Sequence, residues 1–124
     1  MNRKKLDKLA RAHVLERDGR RCRFCGKPGN EWAHILTRGT APALRWDPQN
    51  AVTLCHGDHA YFTDHPTQWK TWVAREFGEG YWDMLKRRQA FAEREPIVVE
   101  AVVRELEVPP ATVADRGRIE GAAW

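Results

Sequence analysis

Cysteine and histidine side chains with the spacing of metal ligands occur at two places in this sequence. The first cluster is Cys22-Arg23-Phe24-Cys25, and the second is Cys55-His56-Gly57-Asp58-His59. Two thiols separated by two residues can bind one zinc ion if the backbone turns sharply, and the glycines and proline that follow Cys25 supply such a turn. Three cysteines cannot build a disulfide framework, so the sequence predicts metal binding rather than redox chemistry.

The segment between the two clusters has the pattern of two short strands joined by an irregular loop. Residues 31–36 and 51–54 are apolar runs of strand length. Residues 37–49 contain one glycine and two prolines, which favour a loop. Asp58 is a good N-cap, so we expect a helix to run from there to about Thr63.

Further helices are predicted on both sides, where apolar residues recur every three or four positions. A length of 124 residues fits one domain with appended helices. The predicted helices cover residues 3–17, 67–77, 81–95 and 97–107. We divide the chain into a core with a basic N-terminal helix, a C-terminal helical extension and a flexible tail, which cover residues 1–66, 67–107 and 108–124.

Charge is unevenly distributed along the chain. Residues 1–27 carry ten Lys or Arg against three acids, a net +7, whereas residues 93–124 carry four against seven, a net −3. A basic half suggests a polyanionic partner such as DNA, although a solvated basic helix has the same composition. No apolar run approaches the ~20 residues of a membrane span, and no signal peptide is present. We therefore expect a cytoplasmic protein with no membrane partner.

Taken together, these residues resemble the HNH nucleases of the His-Me finger (ββα-metal) superfamily. The resemblance rests on His34, Asn50 and His59 in that order, framed by the two cysteine clusters, and it covers roughly residues 15–66. The string from Trp32 to Asn50 is especially similar to small phage-type HNH proteins. The resemblance implies an α+β fold, with a ββα-metal core, a zinc knuckle, the N-terminal helix and additional C-terminal helices. It also implies the host cell cytoplasm if the protein is phage-encoded.

The same resemblance implies a role for each of these residues. His34 would be the general base that takes a proton from the attacking water, and Asn50 would hold the loop and help to orient His34. His59 would bind a catalytic divalent ion such as Mg²⁺ or Mn²⁺. Arg38 and Arg45 flank the site, and we expect them to contact DNA phosphates. The implied reaction is hydrolysis of DNA phosphodiester bonds, which leaves 5′-phosphate and 3′-hydroxyl ends.

The sequence departs from the family at the catalytic metal. Many members have Asp or His directly before the general base, whereas this chain has Ala33, whose methyl group cannot bind a metal. Either Glu31 or Asp47 supplies the missing oxygen, or His59 binds the ion together with water and DNA phosphate.

A second departure concerns the zinc knuckle. A four-thiolate site would have Cys where this chain has Asp58. Zinc accepts carboxylate oxygen at about 2.0–2.2 Å, so Cys22, Cys25, Cys55 and Asp58 could complete a tetrahedron. His56 is a competing fourth ligand. A third interpretation has no zinc and three buried cysteines.

Three functions remain open on this sequence. The first is a metal-dependent HNH endonuclease. The second is a zinc-knuckle DNA-binding module without catalysis, which Ala33 keeps open. The third is a zinc-dependent protein-interaction domain, which fits the acidic C-terminal helix and leaves the basic half unexplained. Both a monomer and a homodimer agree with the apolar faces of the C-terminal helices.

Overall fold

A two-stranded antiparallel hairpin lies at the centre of the protein, which we describe from a computed structural model. The structure describes residues 2–95 and 97–112. Strand β1 (Glu31–His34) pairs with β2 (Ala51–Leu54), with Ala33 opposite Val52. The described α-helices are α1 (Arg3–Arg17), α2 (His56–Asp64), α3 (Pro66–Phe77), α4 (Tyr81–Arg94) and α5 (Ile97–Leu106). The predicted α+β class is therefore confirmed.

The loop between the strands is compact. It contains two single-turn 3-10 helices, Pro42–Leu44 and Pro48–Asn50. Asp47 caps the second one, since its carboxylate accepts a hydrogen bond of 3.0 Å from the Gln49 amide. Leu44 is buried and anchors the middle of the loop to the core. A loop of this composition can hold a fixed shape where its backbone groups are paired and side chains such as Ala41 and Leu44 are buried.

Helices α3 and α4 pack on the hairpin and share its hydrophobic core. The indole Nε1 of Trp69, on α3, donates to the Ile35 carbonyl at 3.0 Å. This bond fixes α3 against the chain directly after β1. Fully buried apolar side chains of this core come from the hairpin, the loop, α3 and α4, and they include Ile35, Leu44, Val52, Leu54, Val73 and Leu85.

A buried ionic network joins the end of α1 to the hairpin. The Asp18 carboxylate accepts hydrogen bonds from Arg17 at 2.9 and 3.0 Å, from Arg23 at 3.0 Å and from the Thr53 amide at 2.9 Å. Arg17 also donates to the Ala51 carbonyl at 2.8 Å. Burial alone would raise the pKa of Asp18, but the two guanidinium groups outweigh it and lower that pKa. Both oxygens of the Asp18 carboxylate therefore accept hydrogen bonds.

Several element boundaries differ from the prediction. Helix α2 begins at His56 rather than Asp58, because the Cys55 thiol accepts the Asp58 amide at 3.4 Å and so acts as the N-cap. Helix α3 begins at Pro66, which suits a first helical position since it lacks an N–H. Strand β1 ends at His34, because the Leu36 amide bonds to the Asn50 side chain instead of to β2.

Two predictions concern the ends of the chain. Residues 108–112 contain no helix, and the rest of the predicted tail lies outside the described residues. Over the described parts of the chain, none of the helices combines the length and hydropathy that a bilayer crossing requires.

Candidate functional site

Three cysteines and one aspartate converge where α1, the hairpin and α2 meet. One ligand atom from each of Cys22, Cys25, Cys55 and Asp58 lies within 4.8 Å of the others. The Cys25 and Cys55 sulfurs are 3.8 Å apart, and Cys22 Sγ lies 3.2 Å from Asp58 Oδ2. This cluster could bind a metal ion.

The chemistry and spacing of the cluster fit zinc. Tetrahedral zinc with Zn–S bonds of about 2.3 Å places neighbouring sulfurs about 3.8 Å apart, which is the separation of Cys25 and Cys55. The competing ligand, His56, is exposed and does not belong to the cluster, and its Nδ1 is bonded to Glu31 at 2.7 Å. The geometry therefore favours Asp58 over His56 as the fourth ligand.

Both halves of the cluster depend on a close backbone approach at Gly29. A Cβ atom at this position would lie 3.0 Å from the Cys22 nitrogen and 3.0 Å from the Leu54 carbonyl carbon.

The thiol of Cys25 has a raised pKa. The Lys27 amide favours the Cys25 thiolate, but Asp58 and the neighbouring thiols outweigh it and raise the pKa of Cys25 to about 12. A bound cation would lower the pKa of Cys25 again, because it favours the thiolate form.

His34 is held by the loop through one ring nitrogen. Its Nε2 lies 2.8 Å from the Arg45 carbonyl oxygen, which can only accept, so Nε2 carries the proton. In the neutral ring Nδ1 is then unprotonated and able to take a proton. Burial lowers the pKa of His34 below its usual value near 6.5, and the positive charges of Arg38 and Arg45 act in the same direction.

Asn50 is fully buried and clamps the two ends of the loop. Its amide oxygen accepts from the Leu36 amide at 2.8 Å, and its amide nitrogen donates to the Leu36 carbonyl at 3.0 Å and the Leu44 carbonyl at 3.4 Å. None of the side-chain hydrogen bonds among the described residues joins Asn50 directly to His34. It acts on the loop that carries Arg45, the hydrogen-bond partner of His34.

His59 lies on α2 and is oriented by Glu31 of β1. Its Nδ1 is 2.7 Å from one Glu31 oxygen, and the other Glu31 oxygen bonds to His56 at 2.7 Å. The hydrogen bonds from His56 and His59 lower the pKa of Glu31. Since an ionised carboxylate only accepts, Nδ1 of His59 donates, and in the neutral ring Nε2 is the nitrogen with the free lone pair. Ala33 is buried and contributes no ligand atom.

The other predicted oxygen ligand, Asp47, is engaged elsewhere. Its carboxylate is buried, caps the turn at Gln49 and forms an ion pair with Arg88 of α4. Of the two residues expected to supply an oxygen ligand to the catalytic ion, Glu31 and Asp47, only Glu31 contacts His59.

The two predicted phosphate-binding arginines are placed differently. Arg38 is exposed, with its guanidinium 5.6 Å from the centre of the Trp32 ring. Arg45 instead forms two hydrogen bonds to Asp7 of α1, at 2.9 and 2.7 Å, and does not line the cleft that His34 and His59 share. The phosphate contact predicted for Arg45 has no support in this arrangement, because its charge is already paired.

His34 and His59 line one open cleft of about 920 Å³. The cleft is formed by β1, the loop after it, α2, α3 and α4, and its lining includes His34, Arg38, His59, Phe62, Trp69 and Lys70. None of the described residues that line it is Asp or Glu, although the chain has 17 of them. A surface with two cations, two imidazoles and no carboxylate suits a polyanion.

Three features of the site escaped the sequence reasoning. Alternation along β1 places Glu31 on the same face as Ala33, the position at which many HNH proteins have a metal ligand. A contact of Glu31 with His59 could therefore have been suspected. The pairing of Asp7 with Arg45 joins positions far apart in sequence. Lys70 lines the cleft because of the way α3 packs against the rest of the protein. Neither of the last two leaves a local signal in the sequence.

Comparison of the chain with protein-family models, with curated proteins and with solved structures found no match.

Proposed function

We propose that this protein is a divalent-metal-dependent DNA endonuclease of the HNH type, with β1, β2 and α2 as its ββα-metal core. One observation carries the proposal. His34 and His59 line the same carboxylate-free cleft, and the hydrogen bond of each ring leaves its other nitrogen free. One imidazole is thus prepared to accept a proton, and the other is prepared to bind a cation.

His34 acts as the general base in this proposal. Its Nδ1 accepts a proton from the water that attacks phosphorus, while the Arg45 carbonyl holds the ring in the required tautomer. The lowered pKa keeps the ring neutral at physiological pH. Asn50 supports this geometry indirectly, since it fixes the loop on which Arg45 lies.

His59 would hold the catalytic ion through Nε2, with Glu31 as the carboxylate that orients it. When bound, a divalent ion supplies Lewis-acid stabilisation of the charge that develops on the phosphate oxygens. Arg38 provides a positive charge at the same cleft and would contact a neighbouring phosphate. Glu31 orients His59 and does not itself replace the ligand missing at Ala33, so water and DNA phosphate would supply the remaining oxygens around the ion.

A structural zinc ion at Cys22, Cys25, Cys55 and Asp58 completes the proposal. Structural zinc sites contribute on the order of 10–16 kcal/mol to folding in small zinc-dependent domains. Here the ion would join the chain before β1 to the start of α2, and would thereby set the position of His59.

Nicking of supercoiled plasmid tests the endonuclease. Wild-type protein with Mg²⁺ or Mn²⁺ should convert the plasmid to open-circle and linear forms, and His34→Ala and His59→Ala should each lose that activity. His65→Ala is the matched control. His65 bonds to the Tyr61 carbonyl at 2.7 Å and does not line the cleft, so its replacement should leave nicking intact. Nicking that survives His34→Ala would rule out the proposed base.

A DNA-binding module without catalysis is the second candidate, and Ala33 is the observation that favours it. If this candidate is correct, wild-type protein will slow the migration of the plasmid in a gel with each metal ion tested, and it will not cut the plasmid with any of them. His34→Ala will then bind DNA as wild type does.

A further inference from the structure

The cleft that contains His34 and His59 is larger than a phosphodiester needs. Its volume of about 920 Å³ lies within the range of about 300–1,000 Å³ typical of pockets that enclose whole small molecules. A phosphate group with its two ester oxygens fills only a small part of that space. The remaining space borders side chains of the loop after β1 and of α3 and α4.

The lining of that space is apolar and aromatic at its base and hydroxylic at its edge. Ile35, Leu36, Phe62 and Trp69 are buried members of the core that also border the cleft. The exposed edge carries five threonines, at positions 37, 40, 63, 67 and 71. A DNA backbone alone offers charge and sugar to such a surface. The faces of nucleobases are the parts of DNA that apolar and aromatic side chains bind.

Two cation–aromatic pairs line the cleft. The Arg38 guanidinium lies 5.6 Å from the Trp32 ring centre, and the Lys70 ammonium lies 5.4 Å from the Trp82 ring centre. Neither cation forms a salt bridge within the described parts of the chain. Each pair places a charge for a phosphate beside an aromatic ring. The Trp32 ring also contacts the His34 ring, with the ring centres 4.4 Å apart, so the ring proposed to stack on a base is that of Trp82, as in proteins that bind single strands.

We propose that the cleft binds an unpaired nucleotide beside the scissile phosphate, so that the preferred substrate is DNA with unpaired bases rather than continuous duplex. This inference rests on the proposed endonuclease function. In a duplex both faces of every base are stacked, so the aromatic lining gains a partner only where a base is already unpaired or is turned out of the helix. Three hydroxyls of the threonine edge, those of Thr37, Thr63 and Thr71, already donate within the protein and can only accept from the polar edge of that base. The hydroxyls of Thr40 and Thr67 can also donate to it.

Binding measurements with the cleavage-defective His34→Ala protein test the inference. Three fluorescent DNAs of equal length are compared by anisotropy: a continuous duplex, the same duplex with a short unpaired loop, and that loop with abasic sites. The looped DNA should bind at least about fivefold tighter than the duplex, the lower end of what one stacked base contributes. The abasic loop should lose most of this gain, which separates base stacking from a more flexible backbone.

Variants of Trp82 locate the preference in the cleft. Trp82→Ala should reduce the ratio between looped and continuous DNA towards one, and Trp82→Phe should restore part of it because a ring is present again. Ala74→Trp, which places bulk against the cleft, should also reduce the ratio. Ala60→Trp is its control, since Ala60 is exposed on α2 and does not line the cleft.

The outcomes separate this inference from the function on which it rests. Equal affinity for all three DNAs, with plasmid still nicked by wild type, overturns the inference and leaves the endonuclease standing. A loop preference that disappears in Trp82→Ala, with no nicking by wild type in any metal, supports the binding of an unpaired nucleotide in the cleft and contradicts the endonuclease. Absence of both binding and nicking overturns the two together.

Discussion

The imidazole of His34 is positioned by a backbone carbonyl, not by a carboxylate. A carboxylate partner would favour the protonated ring and raise its pKa, whereas a carbonyl fixes the tautomer with less effect on charge. Burial and the two nearby arginines then lower the pKa of His34. The arrangement is suited to a base that stays neutral.

We predict that the ring of His34 carries its proton on Nε2 and titrates below pH 6.5. Since the pKa is lowered, the neutral form persists as the pH falls through the ordinary histidine range and is lost only below it. Long-range ¹H–¹⁵N correlation spectra of the ¹⁵N-labelled protein report both the tautomer and the titration midpoint. Assignment comes from the missing signals of His34→Gln. A proton on Nδ1, or a midpoint above 6.5, contradicts the proposed role.

Asp58 determines whether the metal cluster has four ligands. We predict that Asp58→Ala lowers zinc affinity at least about tenfold, because one of four ligands is lost from a site worth on the order of 10–16 kcal/mol. Asp58→Cys should retain zinc, since it restores a four-thiolate set. Competition with a chromophoric chelator gives the affinities, and elemental analysis gives the content per chain. His56→Ala is the control, and a fall in zinc affinity there would reassign the ligand.

The junction of α1 with the hairpin depends on one carboxylate. Asp18 has a fully buried side chain and receives hydrogen bonds from Arg17, Arg23 and the Thr53 amide. Arg23 also bonds to Glu76 of α3 at 3.1 Å. Three elements therefore meet at this network, and its loss leaves buried guanidinium groups without their main counter-charge.

Replacement of Asp18 should destabilise the fold far more than replacement of an exposed residue of α1. We predict that Asp18→Ala lowers the free energy of unfolding by about 3–5 kcal/mol, the range found when one partner of a buried ion pair is removed. Because the pKa of Asp18 is lowered in the folded protein, its contribution is present above the unfolded-chain value of about 3.9 and is lost as the pH falls. Urea unfolding measures the change. Glu16→Ala, an exposed neighbour, should change it by less than about 0.5 kcal/mol.

The contact of α1 with α5 contains a histidine with one ring nitrogen that lacks a hydrogen-bond partner within the described parts of the chain. His13 is about nine-tenths buried, and its Nδ1 has no hydrogen-bond partner among the described residues. Burial lowers the pKa of His13, although the negative charge of Glu105 on α5 opposes this effect. The folded protein therefore resists protonation at this ring, whereas the unfolded chain accepts a proton at about pH 6.5.

This histidine should make the protein less stable in mild acid. As the pH falls below about 6.5 the unfolded state binds more protons, so the free energy of unfolding decreases. We predict that His13→Leu reduces this dependence, and that its stability relative to wild type increases between about pH 7.5 and about pH 5.5. Thermal unfolding across that range tests the prediction. A pH-independent difference between the two proteins would contradict it.

The positive charge of the whole molecule is concentrated in α1, where Lys4, Lys5 and Lys8 are exposed. If α1 contacts DNA, replacing these three lysines with Gln should lower affinity for every DNA sequence. The slope of log K against log salt concentration should decrease by up to about 2.7, because each phosphate that is no longer neutralised accounts for about 0.9. Anisotropy at several salt concentrations measures the slope.

A matched triple variant on α4 is the control for this prediction. Lys86, Arg87 and Arg94 are also exposed, so their replacement with Gln removes the same charge from another surface. The salt slope should then remain close to that of wild type. Equal changes in the two triple variants would show that net charge, and not α1, provides the attraction.

Local patterns were sufficient for much of this structure. The bounds of α1 and β2 were predicted correctly, because apolar periodicity and strand propensity are properties of neighbouring residues. The cluster of Cys22, Cys25, Cys55 and Asp58 was also predicted, since ligand spacing restricts which residues can share one ion. The two ends of a short hairpin are close together, so the second cysteine cluster had to return to the first.

Contacts between distant parts of the chain were not accessible in this way. The pairing of Arg45 with Asp7 depends on where α1 crosses the loop, whereas the sequence suggested a contact of Arg45 with a DNA phosphate. Trp69 and Trp82 also line the cleft, although the sequence predicted α3 and α4 only as packing helices. The thiol cap of α2 was missed because Asp is a far more frequent N-cap than Cys.

The contact between α1 and the loop has a practical consequence for anyone who prepares this protein. The Asp7 carboxylate accepts hydrogen bonds from the Arg45 side chain, and the backbone carbonyl of Arg45 accepts a hydrogen bond from the His34 ring. An affinity tag or fusion partner attached ahead of α1 is therefore close to the hydrogen bonds that position His34 in the cleft. A purification handle at the carboxyl terminus leaves the start of α1 unmodified and is the safer choice for activity measurements.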